Sequence, residues 1–329
     1  MILIETEQIG TVEGLHAIRQ EWDRLLEACP DSTPFQSYDW LVAWWKRFGQ
    51  GRLMTLAMRV ADRLCGLAPL FVNNGEVLFI GSGVSDYPGV LLEPSIEIPG
   101  AQALFNHLAG CGGWGLCRLQ DMRPSHALLA VKPPDGLRAA LVPGEICLRA
   151  DLPSTVEEFR KTHGRTGRCG SKKAWRRLAA RGIRLETAGD AAEASSFMDT
   201  LFRLHSKKWE AAGKSGVLQG PEIRAFHEEA ALGLLKKGML RLYRMVLQGR
   251  ELSVFYGFVH RKSLYAYLMG YDPDFSRLSP GILMLLSVAE DCITQGVQGI
   301  DFLRGGEKYK YDWAPKETRN YTLLITNGS

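Results

Sequence analysis

The sequence predicts an α/β (α+β) protein with two tandem domains, each a mixed, mostly antiparallel sheet flanked by helices. Its 329 residues exceed what one hydrophobic core usually supports, so two domains are expected. Helix-like and strand-like hydrophobic periods alternate along both halves of the chain. Between the halves, residues 123–153 hold five prolines and little periodicity, which places the domain connection there. We therefore predict domains 1–145 and 146–329.

The first domain is expected to contain helices and several short strands. Apolar residues at three- and four-residue spacings predict a helix over 15–28, and Ser37 and Gly49 bound the next one as N-cap and stop. The runs LMTLAMRV, RLCGLAPLFV and EVLFIGSG predict consecutive strands, the first two joined by a turn at Ala61–Asp62. A helix over 98–109 and a strand GLCRLQDM complete this half.

The second domain is expected to open with a strand, ICLRADL, and to continue through IRLETA into helices over 191–211 and 221–237. The runs MLRLYRMVLQG, ELSVFYGFVHR and SLYAYLMGYDP predict three antiparallel strands. Tight turns at Gln248–Gly249 and Arg261–Lys262 join them. A helix over 280–295 and a strand VQGIDFLRG follow.

Composition excludes several classes of protein. No apolar run is long enough to span a bilayer, and the N-terminus MILIETEQIG lacks the pattern of a signal peptide, so a cytoplasmic protein is expected. The seven cysteines are odd in number and the seven histidines are scattered, so neither a disulfide framework nor a metal site is predicted.

One basic segment carries the positive charge of the chain. Residues 160–184 hold ten Lys and Arg and no Asp or Glu; without those ten cations the formal net charge would be −6 rather than +4. A predicted helix over 171–181 would present a cationic face that includes Lys173 and Arg177. Because like charges on one face repel, we expect this face to bind an anionic substrate, a carrier protein or a tRNA acceptor arm. A solvated helix face is the alternative.

The turn DPDFSRLSPGILM is a candidate anion site. Ser279 can cap the following helix, Pro280 suits its first position, and Gly281 lets a ligand approach the backbone. A helix start offers unpaired N–H groups to a phosphate, and Arg277 lies just before it. An ordinary capped helix is the alternative.

The segment IDFLRGGEKYKYDWA is the candidate catalytic segment, because charged and aromatic residues surround a Gly-Gly break. Lys310 can stabilise an oxyanion, and Tyr309 or Tyr311 can donate or relay a proton. Asp301, at a strand end, can act as a base or form a turn by pairing with Arg304. In the first half, Asp86 and Tyr87 lie in a Gly-rich turn that either binds the acceptor or only shapes the chain.

These segments, with the basic RxxSKKAWRRL-like helix, resemble the CelD-type, BioF-like branch of the GNAT N-acetyltransferase superfamily, which is related to the Fem-type aminoacyltransferases. EWDRLLEACPDSTPFQSYDWLVAWW, LCGLAPLFV and GSGVSDYPGVLL resemble the same branch, so the likeness covers nearly the whole chain. Two features depart from it. Gly306 stands where the DFLRGDExYK-like pattern has Asp, and Arg277 and Gly281 lie one residue further apart than in the usual pyrophosphate loop.

The resemblance implies two tandem GNAT-like domains, with the donor pocket in the second. It also implies that Tyr309 and Lys310 match an aromatic–Lys pair near the reacting carbonyl, and that Asp86 and Tyr87 face the substrate cleft. The expected activity is N-acyl transfer from a thioester, acyl-CoA or acyl carrier protein, to a small-molecule amine. Two alternatives remain: a tRNA-dependent aminoacyltransferase and a non-catalytic binding module in polysaccharide biosynthesis. The donor is a cosubstrate, and no resident cofactor is expected.

Overall fold

The computed structural model describes residues 3–165, 182–211, 213 and 216–327. The chain divides into two compact units, Met1–Ile146 with Thr318–Ser329, and Cys147–Glu317. The last segment therefore belongs to the first unit, whereas the predicted second domain runs to residue 329.

The first unit alternates helices and short strands in chain order: β1 (Glu5–Ile9), α1 (Val12–Ala17), α2 (Arg19–Ala28), α3 (Tyr38–Phe48), β2 (Arg52–Leu53), β3 (Thr55–Val60), β4 (Arg63–Ala68), β5 (Leu70–Asn73), β6 (Glu76–Phe79), β7 (Leu91–Leu92), α4 (Glu97–Gly110) and β8 (Leu116–Met122). Ser37 caps α3 by accepting the N–H of Trp40, and Gly49 ends that helix, as predicted. The predicted helix over 15–28 is interrupted at Ile18, so that α1 and α2 are separate.

Strand β9 (Leu137–Asp151) contains the junction between the units, and the second unit continues with α5 (Val156–Arg165), β10 (Arg184–Thr187), α6 (Ala191–Ala211), α7 (Pro221–Lys236), β11 (Leu240–Leu247), β12 (Arg250–His260), β13 (Ser263–Tyr271), α8 (Pro280–Thr294), β14 (Gly299–Arg304), α9 (Lys308–Tyr311) and β15 (Lys316–Asn327). The prediction treated 123–153 mainly as a connection. Most of β9 before residue 147 is exposed, so its sequence shows no apolar alternation that would announce a strand.

Each unit has its own sheet order and core. In the first, β1, β3, β4 and β7 form one sheet, and β2, β5, β6, β8 and β15 lie in sequence in another. Its core includes Phe79, Phe105 and Leu119. In the second, β10 to β14 follow one another, and β14 then pairs with the end of β9. Its core includes Phe255, Leu286 and Phe302.

The same motif occurs once in each unit. A strand, a helix and a second strand parallel to the first are formed by β6–α4–β8 and by β13–α8–β14. Each second strand also pairs antiparallel on its other side and contains a bulge near its end. The bulges place Asp121 (φ 56°) and Leu303 (φ 60°) in the left-handed region, which non-glycine residues rarely adopt. The two units are therefore built on one plan, although their sequences show no repeat.

The parallel pair β13–β14 opens into a wedge. Residues 263–265 pair with 299–301, and no pairing follows between the described parts of the two strands. On its other side β13 stays paired with β12 as far as Tyr271. The final half of β13 thus has an edge whose backbone groups face the opening.

Candidate active site

A cavity of about 350 Å³ lies at the open end of this wedge. It is lined mainly by apolar side chains, with a few polar groups around them. The lining comes from the end of β13, the turn after it, the first half of α8, and α9. It consists of Met269, Tyr271, Ser276, Ser279, Pro280, Gly281, Ile282, Leu285 and Tyr309. Predicted donor residues and one predicted catalytic residue therefore meet in one cavity.

The start of α8 is built differently from the prediction. Ser279 occupies the N-cap position, but its backbone is left-handed (φ 56°, ψ 54°) and its side chain makes no capping hydrogen bond. Side-chain capping requires the extended backbone of an ordinary N-cap, so the predicted capping role is wrong. The Ser279 carbonyl accepts the Leu283 N–H instead. Ser279 lines the cavity.

Gly281 keeps the cavity open at this helix start. A Cβ built on it would lie 3.2 Å from Cε of Met269, on the opposite wall. Pro280 has no N–H, and the amides of the first helical turn have no acceptors within the helix. Arg277 is exposed and does not line the cavity.

An ionic clamp holds the turn that leads into α8. The Lys207 ammonium, on α6, donates to Asp272 Oδ1 at 2.5 Å and to Asp274 Oδ2 at 2.8 Å. Asp272 is buried and also accepts the Asp274 N–H at 3.0 Å. Burial alone would raise the pKa of Asp272, but the hydrogen bonds from Lys207 and the backbone outweigh it and lower the pKa. The turn bearing Ser276 and Ser279 is thereby fixed from outside the cavity.

Asp301 forms a hydrogen bond within the bulge of β14. Its side chain is buried, and Oδ1 accepts the N–H of left-handed Leu303 at 2.8 Å. This contact is of the turn-forming kind, with the Leu303 N–H as one partner of the carboxylate. Arg304 is partly buried, and its carbonyl accepts a hydrogen bond from Lys310.

Lys310 is buried, with 3% of its surface exposed. Its ammonium donates to the carbonyls of Arg304 (2.7 Å) and Gly305 (3.2 Å) and forms an ion pair with Glu307 Oε2 (2.7 Å). An ammonium has three N–H groups, so these partners occupy all of them.

The two tyrosines beside Lys310 differ in position. Tyr309 lines the cavity, has 40% of its surface exposed, and packs edge-on against Phe302 with ring centroids 6.4 Å apart. Burial of its hydroxyl and then the Glu307 carboxylate raise the pKa of Tyr309 to about 12, so the phenol stays protonated at neutral pH. Tyr311 does not line the cavity, and its hydroxyl donates to Glu317 Oε2 at 3.2 Å.

The other predicted substrate residues lie elsewhere. Asp86 and Tyr87 are buried in the first unit, where Tyr87 is left-handed (φ 53°) and its ring packs under the Arg123 guanidinium at 4.1 Å. Lys173 and Arg177 lie outside the residues that the structure describes.

Several site residues were not predicted. Met269 and Tyr271 alternate along β13, a signal that the strand period contains, but their exposure to a cavity depends on the distant β14. In the first unit, Asn320 is fully buried, and its side-chain amide has no hydrogen-bond partner among the described residues. Asn320 immediately precedes Tyr321 in β15. Tyr321 pairs with Met122 of β8, the residue before Arg123.

Two general features follow from the described part of the chain. No group of three or more His, Cys, Asp or Glu side chains among those residues is placed to hold a metal ion. None of the helices in the same residues is both long and apolar enough to cross a bilayer.

Comparison with known proteins shows which domain and which solved structures the chain is similar to. Residues 165–311 match the Acetyltransferase (GNAT) domain. No curated protein matches the sequence. Among solved structures, FemX superposes with a TM-score of 0.67 at 13% identity, covering 97% of this chain and 96% of FemX.

Two further structures are similar to this chain over nearly their whole length. The C-terminal domain of a putative lysylphosphatidylglycerol synthetase from Agrobacterium fabrum gives a TM-score of 0.60 at 15% identity, covering 95% and 93% of the two chains. A tandem GNAT protein from the clavulanic acid biosynthesis pathway gives 0.50 at 10% identity, covering 99% of both.

The class of the protein follows from these findings. The predicted fold of two GNAT-like units with mixed sheets flanked by helices is confirmed. The chain carries a GNAT acetyltransferase domain in its second half and is an acyltransferase.

Proposed function

We propose that this protein is an N-acyltransferase that moves an acyl group from a thioester, acyl-CoA or acyl-phosphopantetheine on a carrier protein, to an amine. The observation that carries the proposal is the cavity at the open β13–β14 wedge, which joins a strand edge, a helix start and the Tyr309 side chain. A thioester arm can pair with the edge of β13 beyond its pairing with β14. Its phosphate end can reach the amides of α8, with Arg277, Ser279 and Gly281 as the donor-binding residues.

The reaction is direct attack. The neutral amine nitrogen attacks the thioester carbonyl, the C–S bond of the tetrahedral intermediate breaks, and an amide and a thiol result. Tyr309 gives its proton to the leaving sulfur, so that a thiol departs, and the proton of the attacking amine passes through water to restore the phenol. Because the pKa of Tyr309 is raised, its phenol is protonated at neutral pH and can therefore donate a proton but cannot accept one as a base. The edge amides of β13 can polarise the carbonyl.

A cavity beside the start of α4 in the first unit supports the assignment of the donor to the second. The cavity there is about 50 Å³ and is lined by Glu97, His126 and Ala127 among others. Glu97 lies in the first turn of α4, so its carboxylate occupies the positive end of that helix. A phosphate would be repelled.

The first unit is instead proposed to recognise the acceptor. Asp86 can bind the ammonium form of an amine, and the Tyr87 ring, the Arg123 guanidinium and the orphaned amide of Asn320 offer a flat face and further hydrogen bonds. A left-handed Tyr is strained, and such strain persists at functional sites. In this proposal Arg304 is a further acceptor contact, and Lys173 and Arg177 bind anionic parts of a substrate or of a carrier protein.

We expect Asp86→Asn to raise the KM for the acceptor by about ten- to a hundredfold, because a hydrogen bond to a charged group contributes ~1.5–3 kcal/mol. Donor affinity should stay unchanged. Asp135→Asn, an exposed aspartate of the same unit, is the control. Equal acceptor KM values for Asp86→Asn and the unmodified protein would remove Asp86 from the acceptor site.

The function itself is tested by mass spectrometry. The protein is incubated with a panel of acyl-CoAs and acyl carrier proteins and a pool of amines, and loss of thioester together with an N-acyl product is expected. Tyr309→Phe serves as the inactive control. No consumption of any thioester would overturn the proposal.

A second candidate, an aminoacyl-tRNA-dependent transferase, is favoured by the ten cations in residues 160–184. RNA that copurifies with the protein, and transfer from aminoacyl-tRNA but not from thioesters, would select it. We further propose that the chain belongs to the CelD-type, BioF-like branch and acts in the cytoplasm.

A further inference from the structure

The ammonium of Lys310 is committed to the turn between β14 and α9. It contacts the two carbonyls at the end of β14, those of Arg304 and Gly305, and the carboxylate of Glu307. With 3% of its surface exposed, the residue also has little contact with water. No N–H of this ammonium is left for a reacting carbonyl.

These contacts define the shape of the turn. Gly305 has a φ of 100°, and a Cβ on it would lie 2.7 Å from the Glu307 carboxylate, so the chain folds tightly back on itself here. Glu307 precedes α9, whose four residues include both Lys310 and Tyr309. A helix of one turn has little stability of its own, so its position depends on such side-chain contacts. The position of Tyr309 at the cavity therefore depends on the ammonium of its neighbour.

We propose that Lys310 is a positioning residue that acts through Tyr309: it locks residues 304–307 and so holds the Tyr309 hydroxyl at the donor cavity. This inference rests on the proposed function for its kinetic consequences. It replaces the direct oxyanion role that the sequence suggested for Lys310. A lysine suits the task because a compact ammonium directs three donors to three separate acceptors, whereas the planar fork of an arginine does not.

A double-mutant cycle separates the two roles. Lys310→Met keeps an unbranched apolar stem and removes the three contacts, and Tyr309→Phe removes the hydroxyl. Positioning predicts that Lys310→Met lowers kcat by about ten- to a hundredfold alone and by less than about threefold in the Tyr309→Phe background. A direct oxyanion role predicts a further loss of about two to three powers of ten in that background, and this result would overturn the proposal.

Two further variants serve as a control and as a substitute in this double-mutant cycle. Lys316→Met removes a lysine of an exposed ion pair with Asp151 in the same unit and should leave kcat unchanged. If Lys310→Met does not fold, Glu307→Gln removes the negative charge of one partner and leaves the lysine in place. Positioning predicts that Glu307→Gln lowers kcat only when the Tyr309 hydroxyl is present. An equal loss in both backgrounds would contradict it.

A second readout does not need activity and therefore stands even if the protein transfers no acyl group. The ionisation of Tyr309 is measured as the ultraviolet difference between each protein and its Tyr309→Phe counterpart. With Lys310 present, little ionisation is expected between about pH 9 and 11; with Lys310→Met, the Tyr309 hydroxyl leaves its buried position and ionises near its ordinary pKa of about 10. If Lys310 does not position the tyrosine, loss of a nearby cation leaves the pKa of Tyr309 unchanged or raises it. An unchanged difference spectrum would overturn the proposal.

Discussion

Tyr309→Phe is expected to lower kcat by about two to four powers of ten while changing the KM for the donor little, because general acid catalysis contributes on that scale. The phenol ring continues to line the cavity and to pack on Phe302, so only the proton donor is lost. Initial rates at saturating donor and acceptor, with the fold checked by circular dichroism, measure the effect.

Tyr311→Phe is the matched control for this substitution. It removes a hydroxyl two residues away that is bound to Glu317 and does not line the cavity. Its kcat should stay within about twofold of the unmodified protein, since surface substitutions rarely matter by more than ~0.5 kcal/mol. If Tyr311→Phe instead showed the large loss, the proton donor would have to be reassigned.

The pH dependence follows from the same group. An acid must be protonated to act, so its contribution is present below its pKa and lost as pH rises through it. Because the pKa of Tyr309 is raised to about 12, turnover should not decline between about pH 9 and 11 through this group. Any rise at lower pH would report deprotonation of the acceptor amine, which Tyr309→Phe would not shift.

The sequence predicted local structure well where periodicity and turn chemistry agree. The helix α6 has the predicted bounds, Ala191–Ala211, and the turns at Gln248–Gly249 and Arg261–Lys262 have the left-handed backbone of tight hairpin turns. The three strands they join were therefore predictable from short-range signals alone.

Long-range pairing was not predictable in the same way. Strand β15 was not predicted, because its first half is polar and exposed, and its partner β8 lies some two hundred residues earlier in the chain. The start of β9 was missed for the same reason. A strand without an apolar face forms because it pairs with a neighbouring strand, and its own sequence does not indicate that pairing.

The candidate site was predicted by residue type but not by role. Ser279, Gly281 and Tyr309 were named from the sequence and line one cavity. Asp301 makes a turn-forming contact, which is one of its two predicted alternatives, whereas Lys310 contacts the turn and does not line the cavity. A charged residue near a Gly-Gly break can serve either a substrate or the backbone of the turn. Only the hydrogen bonds to Leu303, Arg304 and Gly305 distinguish these cases.

Gly281→Leu is expected to separate donor binding from stability. Gly281 does not have a positive φ, and replacing a helical glycine with a better helix former contributes up to about 1 kcal/mol to stability. The new Cβ would lie 3.2 Å from Cε of Met269, the flexible end of a long side chain that can move aside. The protein should therefore unfold at the same temperature as before or slightly higher.

The rest of the leucine side chain would occupy the cavity where the donor is proposed to bind, across the first amides of α8. We expect the Kd for the donor to rise at least about tenfold, a loss of ~1.4 kcal/mol or more. Calorimetry with the thioester that the mass-spectrometric assay consumes measures this Kd.

Ile282→Leu is the matched control, because it alters the next cavity residue without changing side-chain volume. Its Kd should be that of the unmodified protein. Loss of donor affinity with retained stability in Gly281→Leu, and neither change in Ile282→Leu, would show that the helix start contacts the donor. Unchanged donor affinity in Gly281→Leu would instead place the donor outside this cavity and leave Tyr309 without a leaving group to protonate.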